Sequence, residues 1–417
     1  MAENEIRIKD LPSTQQINET DDVIVLDNAT DGTRKLQGKL LLDMIHSAMA
    51  KGTASGAVAT FTDGADGIPM TDLVVSIEPQ QSGSGDPSPE NIRPISGWTA
   101  CNVVRCGENL FDKATITENK ILDSTTGEEI ASYGRFSSDY IKVDPSTDYY
   151  ASNVIRGAQW YCVFYYDKNK NYLSCGELPS TGDNASGVVT TPSDCNYVRL
   201  VGVSTYKDDV SFVVGNQAPS SYSAYSGNTY TINFVDGSSP LTVYGGTLDV
   251  LSGVLTVDRI KTSMPAYWTV NTESSTYWLI TNTRDDAISV ENTDTSIRVI
   301  SDGFKGISAN EMITKIATTD NINSIALISS QRLFLKVSKA DYPTLNDLYS
   351  MIQTNNLQVI YELATPQTYQ LTPTQVKSLP GVNNIWADTG NIINAEYVRD
   401  TTTIINQILA RLDALES

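Results

Sequence analysis

Tyr197-Val198-Arg199-Leu200-Val201-Gly202-Val203 and, a short interval later, Ser211-Phe212-Val213-Val214 decide the fold class. Both are brief apolar runs rich in valine, and no sustained helical period separates them. Runs of about four to eight such residues, broken by Gly, Pro, Asn and Ser, read as β-strands. The same texture extends outward, at 73–77, 140–143 and 162–166 upstream and at 229–234, 253–257, 277–280, 296–300, 333–337 and 359–363 downstream. Many strands at short spacing predict a mostly β chain of antiparallel sandwiches, in tandem or one inserted in another. Two helical signals stand out, a turn at 308–313 and a helix at 344–353. At the second, Thr344 is placed to cap and Asp347 to return the bond in a capping-box-like spacing.

At 417 residues the chain has room for about two to four domains. Hydrophobic residues at 40% against 19% charged describe a folded protein whose polar surface is built from Ser, Thr, Asn and Gln. Tyr outnumbers Phe by 21 to 8, which β-propensity explains as well as exposed binding rings do. A net charge of −20 with no Lys/Arg run argues against nucleic acid and anionic lipid as partners. No apolar run approaches the length of about 18 residues that a membrane span requires, so no membrane insertion is expected. The acidic opening Met1-Ala2-Glu3-Asn4-Glu5 lacks the apolar core of a secretory signal. Work outside a cell would then follow lysis or carriage on a particle. Five irregularly spaced cysteines read as free thiols made in a reducing compartment, with Cys162 a small core residue.

The two ends differ from the middle. Residues 1–50 form a small α+β unit with Ile6, Ile8, Leu11, Val23 and Val25 as its apolar strand positions and helical periodicity over 39–50. So small a unit buries little core and needs a neighbour. Residues 51–72, rich in Gly, Ala, Thr and Asp, read as a linker. In 398–417, Val398, Ile405 and Leu412 at a, and Thr401, Ile408 and Leu415 at d, make a short heptad seam. Ile404 and Leu409 widen the stripe, and isoleucine at both a and d favours three or more strands, so a homotrimer is expected. A helix folded back on its own domain is the alternative.

Longer stretches carry a resemblance. Ile6-Arg7-Ile8-Lys9-Asp10-Leu11-Pro12, then Asp22-Val23-Ile24-Val25-Leu26-Asp27, then Thr33-Arg34-Lys35-Leu36 resembles the N-terminal anchoring module of phage tail and fibre proteins. Gln81-Ser82-Gly83-Ser84-Gly85-Asp86-Pro87-Ser88-Pro89-Glu90-Asn91-Ile92-Arg93-Pro94-Ile95 looks like a signature of minor structural and baseplate proteins from phages of Gram-positive bacteria. Val243 to Val250, Tyr361 to Pro366, Leu371 to Val376 and Asn384 to Gly390 resemble further segments of the same proteins. The stretch opened by Gly107-Glu108-Asn109-Leu110-Phe111-Asp112 and running to Tyr225 resembles the jelly-roll carbohydrate-binding modules of phage fibres. On that reading 108–225 is an insertion, and 73–107 and 226–397 are the two parts of one flanking sandwich.

Candidate chemistry is sparse. The chain's one histidine, His46, falls in the helical pattern of the N-terminal unit and reads as structural, which leaves Ser–His and Cys–His nucleophiles without a base. Phosphate-binding and H-E-x-x-H motifs do not occur. Asp208-Asp209 and Asp285-Asp286 are adjacent pairs, which on a strand would face opposite ways and so read as solvated loop charges. The resemblance implies that Asp112, Glu108 or Asp167 could hold a structural calcium; no cofactor is otherwise expected. Aromatic rings are the better lead. Trp160 and Tyr161, with Tyr165 and Tyr166 a few residues on, could present rings to sugar faces, and Tyr161, Tyr165 and Tyr166 are the candidate glycan contacts; alternation puts Trp160, Cys162 and Phe164 toward a core and Tyr161, Val163 and Tyr165 on the opposite face.

The expectation is a non-enzymatic virion structural protein, a tail-fibre or baseplate subunit assembled in the host cytoplasm. It would be anchored through 1–50, trimeric through 398–417, and in contact with host-surface polysaccharide. The rivals are an architectural head fibre or spacer without glycan affinity, and a glycan-degrading tailspike enzyme.

Overall fold

The computed structural model describes residues 23–28, 32–37, 52–64, 67, 69–156, 161–178 and 182–397. Strand makes up 49% and helix 8%, so stability rests on antiparallel sheets packed face to face, as the sequence predicts. The body is a sandwich. One sheet has the order Gly227–Asn233, Ala100–Cys106, Gly381–Ala387, Ala59–Gly64; the other has seven strands and runs from Val299–Ser301 through Gln358–Gln370, Val254–Ser263, Gly246–Asp249, Asp72–Ile77 and Ile393–Tyr397 to Gly52–Gly56. Alternation sets the faces: along Asp72–Ile77 every second residue is buried, and Leu73, Val75 and Ile77 meet Cys101, Val103, Leu248 and Ile385 in the core. Each such aliphatic side chain contributes about 1.5–3 kcal/mol when fully buried.

Both other units are spliced into hairpins of this body. Ala100–Cys106 and Gly227–Asn233 pair from Ala100↔Asn233 to Cys106↔Gly227, and the Gly107 amide continues the ladder to the Ser226 carbonyl at 3.1 Å. Everything between leaves and returns at one point, close to the boundaries read as 108–225. The inserted unit is itself a sandwich. Its larger sheet holds Tyr172–Gly176, Val163–Tyr166, Tyr197–Val203, Glu129–Ser137 and Thr117–Leu122, with Ile141–Lys142 also against Tyr197–Val203; Gly182–Thr190, Asp148–Arg156 and Ser211–Val214 face it. Tyr149 and Phe212 stack in its core with ring centroids 4.9 Å apart.

The second splice was not read from the sequence. Val254–Ser263 and Gln358–Gln370 pair up to Ser263↔Gln358, and the Met264 amide bonds the Leu357 carbonyl at 2.8 Å. Between them lies an α+β unit rather than more of the flanking sandwich. It has a five-stranded sheet (Thr269–Glu273, Tyr277–Thr283, Arg332–Ser338, Ser324–Ile328, Lys305–Gly306) whose last pair is parallel. Helices Ala309–Thr314 and Leu345–Thr354 accompany the sheet, placing Met312, Leu348 and Ile352 in one core with Leu279, Phe304 and Leu335. The capping box forms as read: the Thr344 hydroxyl accepts from the Asp347 amide at 3.3 Å, and the Asp347 carboxylate accepts from the Thr344 amide at 2.9 Å. Lys336 is fully buried here and donates to the carbonyls of Lys315, Thr318 and Asp320 at 2.8, 2.7 and 2.9 Å.

The linker reading of 51–72 is corrected. Gly52–Gly56 pairs with Ile393–Tyr397 and Ala59–Gly64 with Gly381–Ala387, each at a sheet edge. Ala57, Val58 and Ala59 are buried in the turn and strand, with Phe61 buried beside them. In the N-terminal unit, Val23–Asn28 and Gly32–Gln37 form an antiparallel hairpin. Ile6, Ile8, Leu11, His46 and the side chains of Val23 and Val25 lie outside the described residues. So do Trp160 and the whole seam of Val398, Ile405, Ile408, Leu412 and Leu415.

Candidate binding cleft at the root of the inserted sandwich

The glycine- and proline-rich run 81–95 folds into a compact loop organised by one side chain. The Arg93 guanidinium donates to the carbonyls of Ser82 at 2.9 Å, Gly83 at 2.8 Å and Gln81 at 3.3 Å, and to that of Gly85. Gly83 and Gly85 sit at φ +81° and +75°, which turns successive carbonyls toward that fork. The Asn91 amide closes the far side by donating to the carbonyls of Ser84 and Asp86 at 3.1 and 3.0 Å. The loop also touches both insertions. Asp86 pairs with Lys305 at 2.9 Å and the Arg93 amide bonds the Asp302 carbonyl at 2.7 Å on one side. On the other, Asn171 of the inserted sandwich reaches the Gly83 carbonyl at 3.4 Å.

Where loop, body and inserted sandwich meet there is an open cleft of about 530 Å³. The body supplies Glu78, Trp98 and the turn Asp388 to Asn391; the loop supplies Gln81 to Gly83; the inserted sandwich supplies Lys142, Tyr197 and the turn Lys168-Asn169-Lys170. Trp98 is pinned by its indole N–H on the Glu78 carbonyl at 2.6 Å and is half-buried. Asp388 is held by the Asn102 amide at 2.8 Å and side chain at 2.7 Å. Asp167 closes the lysine turn, accepting from the amides of Asn169 and Asn171, both at 2.8 Å. That turn sets Lys170 over Tyr140 and Tyr197, 4.7 and 5.4 Å from their ring centroids.

Lys142 is the least solvated cation of the group, only 4% exposed. Its ammonium sits 3.3 Å from the Asn391 side-chain oxygen and 4.6 Å from the Tyr197 ring centroid. Burial pulls its pKa down to about 8, against the opposing pull of Glu78, Asp144 and Asp388. Lys168 pairs loosely with Glu78 at 3.7 Å. Three lysines therefore meet two carboxylates, Glu78 and Asp388, around the cleft of a chain that carries −20 overall.

The aromatic candidates fare differently from expectation. Tyr165 and Tyr166 are buried, 7% and 2% exposed, and neither offers a face to a sugar. The side chains alternate, but neither face is open, because Val163–Tyr166 is an inner strand covered on both sides. Tyr165 packs in the sandwich core, while Phe164 and Tyr166 lie under an outer layer with Tyr140, Tyr172 and Tyr197. The Tyr166 hydroxyl is spent on the Gly127 carbonyl at 2.8 Å. Tyr161 is half-buried at the margin of that layer and does not line the cleft. The rings that do line it, Trp98 and Tyr197, were not singled out; the tryptophan three residues past the 81–95 run was the available signal.

Asp112, Asp208 and Asp286 have local partners. Asp112 accepts from the Ala114 amide at 2.9 Å and Asp208 pairs with Lys113 at 2.8 Å. Asp286 accepts from the Tyr361 hydroxyl at 2.9 and 3.0 Å. Among the described residues no group of three or more His, Cys, Asp or Glu side chains is arranged to hold a metal ion. Burial pushes the thiol of Cys101 up to about 12 and that of Cys195 to about 11, so neither is a thiolate at neutral pH. Family models, curated proteins and solved structures give no match to the chain.

Proposed function

We propose that the chain is a phage virion structural protein, a fibre or baseplate subunit that contacts host-surface glycan through the cleft between body and inserted sandwich. Residues 1–50 would dock it on the particle, and Val398, Ile405, Ile408, Leu412 and Leu415 would join three copies. One observation carries the reading: the run 81–95, which resembles baseplate proteins, folds as one wall of a cleft that also presents Trp98 and Tyr197. Flat rings beside convergent amide, carboxylate and ammonium groups are what a pyranose needs, stacking on one face and hydrogen bonding around its rim. The contact is then shared between 108–225 and the body rather than confined to the insertion.

The test is a pull-down of Gram-positive cell-wall polysaccharides by the purified full chain, with Trp98→Ala as control. Binding that this substitution weakens about tenfold, without new reducing ends, is the expected result. New reducing ends would make the protein a hydrolase instead. Retention of no wall polysaccharide at micromolar protein would leave an architectural spacer.

A further inference from the structure

We infer that the cleft selects an anionic saccharide, a polyhydroxylated unit bearing a carboxylate or phosphate. This deepens the glycan-binding reading and rests on it. Lys142 carries the argument. Its ammonium has three donors, and among the described residues it makes one hydrogen bond, to Asn391. Burying a cation so incompletely paired costs free energy that an incoming anion would return. The fold supplies compensation only in part: Tyr197 gives a ring face, and Asp144 behind it is committed to the amides of Ala57 and Val58 at 2.5 and 3.2 Å.

Two further cations stand at the rim on a single turn. Lys170 adopts φ +63°, a left-handed conformation that non-glycine residues rarely take, and the Asp167 side chain fixes the turn around it. Lys168 and Lys170 are exposed while Lys142 is not, so the positive charge runs from surface to floor. A plain phosphate would satisfy the lysines but would meet Glu78 and Asp388 as like charges. A neutral sugar would satisfy the carboxylates by donating hydroxyls but would give Lys142 no counter-charge. An acidic sugar or a polyol phosphate answers both sets, with Trp98 against its apolar face.

Isothermal titration of the full chain with three polymers of similar length separates the cases: oligogalacturonate, poly(glycerol phosphate) and a neutral β-glucan oligomer. The expectation is that at least one anionic polymer binds at least tenfold tighter than the glucan, and that the affinity falls with added salt. Whichever polyanion binds identifies carboxylate or phosphate as the recognised acid. Lys142→Met and Lys170→Met should each weaken it about tenfold, with far-UV dichroism and melting temperature as fold controls. Should Lys142→Met not fold, Lys170→Met on the exposed turn carries the test. Wall polysaccharide that binds equally well to Lys170→Met, or a glucan that matches both polyanions, overturns the charge selection and leaves the glycan reading intact. Absence of binding to every polymer and to wall polysaccharide overturns both.

Discussion

Replacing Lys336 by methionine keeps the length of the side chain and removes its charge and all three donors. In the native unit that ammonium satisfies the carbonyls of Lys315, Thr318 and Asp320, which follow the helix Ala309–Thr314 and have the ring of Tyr277 4.5 Å from the same nitrogen. Leaving a buried carbonyl without its donor costs about 1–3 kcal/mol each. Three would sum to several kcal/mol, offset by the desolvation no longer spent on the ammonium and by any water that enters. A net loss of about 3 kcal/mol is the expected balance, near the range for breaking a buried charged contact. The loss falls first on the α+β unit, whose core also takes in Val299, Val359 and Tyr361 of the body's sheet, and it is read from Trp268 and Trp278, which lie in or against that core. Urea unfolding followed by fluorescence should show the earliest transition moving to lower denaturant, by about 1–3 M for a unit of this size. A midpoint within experimental error of the parent would refute the reasoning, because it would mean the three carbonyls need no donor from the protein.

Arg93→Ala should loosen the 81–95 loop, exposing its amides to hydrogen exchange and costing about 2 kcal/mol locally, while the body's core amides keep their protection. Burial alone would raise the Glu129 pKa, but hydrogen bonds from Arg199 and Ser137 outweigh it and hold the carboxyl below its usual value. The stability it contributes is therefore complete above its unfolded pKa of about 4.3 and is lost as pH falls through the lower folded value. Glu129→Gln should flatten the acid limb of the inserted sandwich's stability curve below about pH 4, measured by thermal melts across pH. Gly246 lies at φ +140°, and a Cβ there would stand 1.9 Å from the Thr256 carbonyl oxygen. Gly246→Ala should cost about 3 kcal/mol or more in chemical denaturation of the body, and a loss under about 1 kcal/mol would show that the strand pair yields easily.

How far the sequence could be read depended on whether local pattern and tertiary role agreed. Tyr197–Val203 and Ser211–Val214 were legible to the residue, since valine-rich runs need no context to be strands. Thr344 and Asp347 declared their helix because a capping box is a contact between near neighbours. Ala100–Cys106, Glu129–Ser137 and Asp148–Arg156 were passed over, being strands interrupted by Asn, Arg, Gly and Ser whose place is set by pairing across the sheet. Gly52–Gly56 misled for the same reason, since its partner lies over three hundred residues away at Ile393–Tyr397. The α+β unit hid because its paired flanking strands, Val254–Ser263 and Gln358–Gln370, are separated by the unit itself. The cleft was legible only in fragments. Trp98, Lys142, Tyr197 and Asn391 come from four distant stretches, and nothing in their spacing announces that they converge.

The junction of the inserted sandwich has a mechanical side. Cys106 and Gly227 stand at the same end of one antiparallel pair, so a tug on the sandwich pulls both strands along their length in the same direction. On the far side, Ala100–Cys106 is bonded to Gly381–Ala387 from Cys106↔Asn384 to Val103↔Ala387. The force must then slide one strand past the next, straining those bonds together, where peeling would break them one at a time. Resistance to forced opening follows the height of the unfolding barrier rather than equilibrium stability, and shared strain raises that barrier. A ligand in the cleft would grip Lys142 on the sandwich and Asp388 on the body at once. It would then carry tension across the joint beside the two strands, and the seam would hold hardest while the site is filled.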